Sequence, residues 1–161
     1  DKLSDEAKTE ISSTIKYFQA HGVKDVNIDS CGSISENKNY SYVYIRYNLV
    51  LENEQEYPCI STYLVKVQDK KYYLYAPSEI SDKISQQAAK DYQKFMTTKT
   101  YTDYTKAYEV FLKKNPGYED KIASKLKGGC KNEADFADGA QKYSLCSLLV
   151  DQALLVCSAY R

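Results

Sequence analysis

The chain has 161 residues, 43% of them hydrophobic and 27% charged, with 22 basic side chains balanced by 22 acidic ones. That composition excludes a disordered chain, and the length is enough to bury a core without help from a metal or disulfides. The cancelled charge excludes a general attraction to nucleic acid or an anionic membrane, and no apolar run approaches the roughly 20 residues that cross a bilayer.

Leu3, Ala7, Ile11, Thr14, Ile15 and Phe18 recur at helical spacing. Ser4 and Asp5 can cap this run and Gly22 can stop it, which predicts an amphipathic helix over 4–20. Val23, Val26 and Ile28 predict a short first strand, and 36–39 reads as a turn. Residues 40–51 give the clearest strand. Val43, Ile45, Tyr47, Leu49 and Leu51 alternate with Tyr40, Tyr42, Tyr44, Arg46 and Asn48, so the two sets take opposite faces of a sheet. The chain turns at 52–55 and returns over 57–67, with Pro58 near the start, where a missing N–H costs least. A turn at 68–70 and a fourth strand over 71–76 complete an antiparallel meander.

Pro77-Ser78 ends the sheet. Ile80, Ile84, Ala88, Tyr92 and Phe95 predict a second helix, and 97–102 a loop. Tyr104, Ala107, Tyr108, Phe111 and Leu112 predict a third helix, stopped by Asn115-Pro116-Gly117. Residues 118–126 read as a short helix that Gly128-Gly129 ends. Residues 133–159 read as mainly helical, with a hairpin over 144–160, turning at Asp151-Gln152, as the competing reading. The expected class is α+β: an N-terminal helix packed on a four-stranded antiparallel meander, followed by a C-terminal helical region. Two stretches follow, 1–77 and 78–161, the second packed on the sheet as an extension or as part of one domain.

A long helix followed by an antiparallel meander resembles cystatin-like and NTF2-like domains over about residues 3–77. The resemblance implies a helix lying across the concave face of a curved sheet. It also implies an extracytoplasmic setting, secreted or lipid-anchored, because bacterial lipoproteins often carry such domains to hold a small ligand or dock a partner. Inhibitory cystatins carry Gln-x-Val-x-Gly, and no such string occurs here, which argues against protease inhibition. NTF2-like domains usually begin with more helix than this chain has. A start at Asp1 without Met is what a signal peptidase leaves, and equally what a truncated expression product leaves.

Five cysteines are present: Cys31, Cys59, Cys130, Cys146 and Cys157. None forms a Cys-x-x-Cys pair, and His21 is the one histidine, so neither a metal nor a cofactor is expected. On one helix Cys146 and Cys157 would sit about 16 Å apart, too far to bridge. Cys130 reaches either one if the chain folds back, and the pairing stays open. No Gly-x-Ser-x-Gly elbow and no Gly-rich phosphate loop occurs. A Cys–His nucleophile would have to pair His21 with Cys31, whereas a histidine in the last turn of a helix reads more simply as a partner of its dipole. Glu52, Glu54 and Glu56 read as a solvated turn, and Glu119-Asp120 as helix-dipole partners.

The chain holds 17 tyrosines and no tryptophan. Tyr42 and Tyr44 share a strand face with Arg46, and Tyr63, Tyr73 and Tyr75 join them if the registers agree. Such an aromatic floor with one arginine can bind a sugar, a peptide or a flat organic ligand. It can equally be a set of cross-strand pairs roofed by the C-terminal helices. The expected function is a non-catalytic extracytoplasmic module that binds an unknown small molecule or protein, with no nucleic acid and no transmembrane segment. A small enzyme using acid–base chemistry in a sheet–helix cavity, and a purely structural interaction domain, are the alternatives.

Overall fold

The computed structural model describes residues 5–68, 71–75 and 77–127. The readings made for 128–161, including helix against hairpin over 144–160, lie outside them. Helix α1 (Asp5–His21) leads into a sheet of β1 (Val23–Glu36), β2 (Ser41–Leu51), β3 (Glu56–Gln68) and β4 (Lys71–Leu74), antiparallel and in the order β1-β2-β3-β4. A short 3-10 turn at Pro77–Glu79 precedes α2 (Asp82–Phe95), α3 (Lys99–Lys114) and α4 (Tyr118–Lys127). This is the α+β order that the sequence predicts.

Gly22 ends α1 in the left-handed region, with φ +65, where only glycine avoids a Cβ clash. Its carbonyl accepts from the Glu52 N–H at 2.9 Å, which ties the corner after α1 to the β2–β3 turn. The first strand is the main departure from expectation, running to Glu36 rather than stopping near Ile28. Register shifts fall between Val23 and Asp25, between Ile28 and Ser30, and between Ser33 and Ser35. Each such bulge adds a residue, bends the strand and resets which face a side chain takes. Val26, Ile28 and Cys31 still stand opposite Leu49, Tyr47 and Ile45. The apolar face of β1 is therefore continuous in space although its spacing in sequence is not.

The β2–β3 pairing has no shift, so its two faces are cleanly separated. One face carries Ile45, Tyr47, Leu49, Leu51, Tyr57, Cys59, Tyr63 and Val65, which form the main core with Phe111 of α3. Tyr17 and Phe18 of α1 and Tyr118 of α4 pack against it. The other face carries Tyr40 and Tyr42, which pack under Ala88 of α2 with Ile34, Leu64, Tyr75, Ile84 and Tyr92 around them. The small Ala88 side chain lets α2 come close to the sheet.

β4 pairs only with Val65–Gln68, so residues 56–63 of β3 have no described strand on their outer side. Helix α3 lies against β3, with Phe111 in the main core. Its start also departs from expectation. Residues 97–102 are not a loop, because Thr98 caps α3 by accepting from the Tyr101 N–H at 3.4 Å and the helix begins at Lys99. Ser81 caps α2 in the same way.

Leu49 is fully buried in the main core, whereas Val110 on α3 is half exposed. Leu49→Ala is expected to cost about 3 kcal/mol, from lost transfer energy plus the cavity left behind. Val110→Ala should stay within about 0.5 kcal/mol. Urea unfolding followed by circular dichroism measures both, and equal shifts of the midpoint would contradict the assignment of the core to this face.

Candidate functional site

The register decides which of the proposed tyrosine-face residues meet. Tyr42, Tyr44 and Arg46 lie on one face, opposite Leu64, Thr62 and Ile60. Tyr63 stands opposite Val43, on the other face, and is buried in the main core. It does not join the tyrosine floor, because an antiparallel pairing one residue out of phase reverses the face. Tyr42 is fully buried, with its hydroxyl 3.0 Å from Thr62 Oγ1, so it is core and not a contact surface. Tyr75 packs near Tyr40 and donates to the Asn39 carbonyl at 3.3 Å, while Lys66 lies over its ring at 5.2 Å. Tyr73 is exposed on the edge strand. Arg46 is paired with Asp29, the bulged residue of β1.

Tyr44 is the member of the set that reaches an opening. Its ring stacks on Phe95 at 5.0 Å, where α2 ends. Beside it is an open cleft of about 300 Å³, lined by Ser33 and Ile34 of β1, Tyr44 of β2, Asp91, Lys94 and Phe95 of α2, and Thr98 and Thr100 at the start of α3. Gly32 stands directly across from Tyr44, and a Cβ there would lie 2.8 Å from Tyr44 Cε1. The glycine is what allows the ring to lie across β1.

Asp91 is the polar anchor of the cleft. The residue is only 8% exposed, yet its carboxylate is well satisfied. Ser35 Oγ donates to Oδ2 at 2.8 Å, Gln87 Nε2 donates to Oδ1 at 3.1 Å, and Lys94 Nζ lies 3.9 Å from Oδ1. An ionised carboxylate accepts about four hydrogen bonds, so each oxygen keeps a lone pair for a ligand. The sequence offered no sign of Asp91. It sits at a helical position between Ala88 and Phe95, and only the bulged end of β1 brings Ser35 to it.

A second polar cluster lies on the main-core side. His21, the last residue of α1, is 6% exposed and ringed by Tyr17 at 4.3 Å, Tyr57 at 4.7 Å and Tyr118 at 5.5 Å. Its Nδ1 is 2.8 Å from the Tyr118 hydroxyl. Burial holds the imidazole down at about 4, with Glu119 pulling it up and Lys125 pushing it down. It is therefore neutral near pH 7 and not a charged dipole partner, and it makes no pair with Cys31. Cys31 is itself disulfide-bonded, which removes it as a nucleophile. Cys59 is a buried thiol whose Sγ donates to the Tyr57 carbonyl at 3.8 Å. Glu119 does more than serve a helix dipole, since Oε1 accepts from the hydroxyls of both Tyr57 and Tyr108 at 2.8 Å. Burial pushes Tyr108 and Tyr118 up to about 12 and Tyr57 higher still, so these phenols stay protonated. Glu54 pairs with Lys24, and Glu56 accepts from Asn27 and Asn48, so the acidic turn is surface pairing as expected. Among the described residues no group of three or more His, Cys, Asp and Glu side chains is placed to hold a metal ion, and no described helix is long and apolar enough to cross a membrane.

No family model matches the chain, and no curated protein matches it. Among solved structures it is similar to a candidate NTF2-like transpeptidase from Campylobacter jejuni, at 26% identity over 45% of this chain and 68% of that one. The TM-score of 0.24 is too low to establish a common fold.

Gly32→Ala tests the cleft wall. The new methyl is expected to drive the Tyr44 ring off Phe95 at a cost of about 1–3 kcal/mol, as overpacking does. NMR ring-current shifts at Phe95, together with the unfolding midpoint, read both effects. Unmoved shifts and unchanged stability would remove Gly32 from this role.

Proposed function

We propose that the chain is a non-catalytic binding module whose cleft takes a small polyhydroxylated ring, such as one saccharide unit. The single observation that carries this reading is the cleft beside the Tyr44–Phe95 stack, with the buried Asp91 carboxylate at its wall. An aromatic surface suits the C–H face of a sugar ring. A pre-set carboxylate, held by Ser35 and Gln87, suits its hydroxyl donors. Thr98, Thr100 and Ser33 line the same opening.

The reading favours binding over acid–base catalysis because the groups displaced furthest from their ordinary values, Tyr57, Tyr92 and Tyr104, do not line the cleft, and neither does His21. It includes an extracytoplasmic setting, supported by the disulfide at Cys31. It also treats α2–α4 as one folding unit with the sheet, supported by the packing of Phe111 and Ala88 into its two faces.

Three measurements test this reading. Saturation-transfer NMR with a panel of mono- and disaccharides is expected to give binding, with amide shifts at Lys94, Thr98 and Thr100. Tyr44→Ala and Asp91→Asn should weaken it at least about tenfold, while Tyr72→Ala, on the edge strand, should leave it unchanged. A panel without response at those amides would sink the ligand class. Thiol titration of the unreduced, denatured chain should find three or fewer thiols, and five would contradict the setting. A fragment ending at residue 77 should fail to fold cooperatively, since it exposes Tyr42 and Tyr57; a stable fragment would make 78–161 a separate extension.

A further inference from the structure

His21 is placed where a proton would break contacts that hold three elements together. It ends α1, meets the Tyr57 ring of β3 at a tilt of 54° and meets Tyr118 of α4. Lys125 of α4 donates to the Ala20 carbonyl at 2.8 Å, one residue earlier on α1. The α1–α4 contact is thus made of the His21–Tyr118 bond and the Lys125–Ala20 bond, with Tyr57 beneath.

Among the described residues the imidazole has one polar partner. Nδ1 faces the Tyr118 hydroxyl, and Nε2 is buried with no hydrogen-bond partner. A neutral ring tolerates this when Nδ1 carries the hydrogen and Nε2 keeps its lone pair among aromatic rings. A protonated ring carries two N–H donors, and the second has no acceptor inside the cage. We propose that His21 is an acid-sensitive clasp, in which uptake of one proton opens the junction of α1 with α4 and loosens the Glu119 bonds to Tyr57 and Tyr108.

The surrounding groups set the sign. Tyr17 on α1, Tyr57 on β3, and Tyr118 with Glu119 and Lys125 on α4 face the ring, Tyr108 of α3 acts through Glu119, and the Glu52 carboxylate lies near Gly22. Glu119 favours the proton and Lys125 opposes it, but desolvation outweighs both. The folded value is depressed from 6.5 to about 4. The closed form is therefore favoured above pH 6.5 and loses that advantage as pH falls towards 4, so the open population rises by up to roughly 300-fold across this window.

Because His21 is the one histidine, its titration can be read without assignment doubt. The experiment follows the imidazole carbon-bound protons of the full chain by NMR from pH 7.5 to 3.5, alongside amide exchange across residues 118–127 corrected for intrinsic rates. The expected result is an imidazole midpoint well below 6.5, with exchange in α4 rising about tenfold per pH unit as pH falls from 6.5 towards that midpoint and levelling off beneath it. His21→Phe, which fills the cage without a charge, should abolish the rise. An imidazole midpoint at or above 6.5, flat exchange in α4, or the same rise in His21→Phe would each overturn the clasp. If that variant fails to fold, the wild-type imidazole titration and α4 exchange still decide the matter.

Discussion

The unshifted pairing of β2 with β3 is the constraint on which the other elements depend. It places apolar side chains on both faces of the same two strands, with Leu49 and Val65 on one side and Tyr42 on the other. A sheet buried on one face needs one covering layer. This one needs two, one on each face. The three described helices after the sheet meet those needs in turn. α2 roofs Tyr40 and Tyr42, α3 lies along β3, and α4 closes against α1 over the main core.

The two polar clusters arise where this covering changes direction. Between α2, which packs on one face of the sheet, and α3, which packs into the other, the chain has only the three residues 96–98. The cleft beside Tyr44 lies at that junction, lined by Asp91, Lys94 and Phe95 of α2 and by Thr98 and Thr100. Between α3 and α4 the chain turns at Gly117, with φ +74, and brings Tyr118 and Glu119 back over Tyr57. Polar groups at both corners are satisfied by side chains, with Asp91 held by Ser35 and Gln87, and Glu119 by two phenols. The exception is His21 Nε2.

Much of the fold was legible in the residues. The strand over 40–51 alternates so regularly that its two faces can be read directly, and the observed faces follow that reading. The stop at Asn115-Pro116-Gly117 locates the end of α3 by local chemistry. The first strand was readable only in part, because its bulges break the period of two that identifies a strand. The start of α3 was misread because four threonines in 97–102 look like a loop, while one of them, Thr98, is a cap. The face of Tyr63 stayed open because a strand's internal alternation is visible in sequence but its phase relative to a neighbour is not.

The sequence by itself determined the element order, the antiparallel meander, and which residues of β2 share a face, since these depend on local propensity and on a period of two. Tertiary structure alone decided that Tyr42 is core while Tyr44 lines an opening, that Asp91 and Ser35 meet across 56 residues, and that His21 is buried among rings of three elements. These facts turn on register, bulges and the path of α2–α4 over the sheet. Each is set by distant contacts whose energies no local stretch of sequence contains.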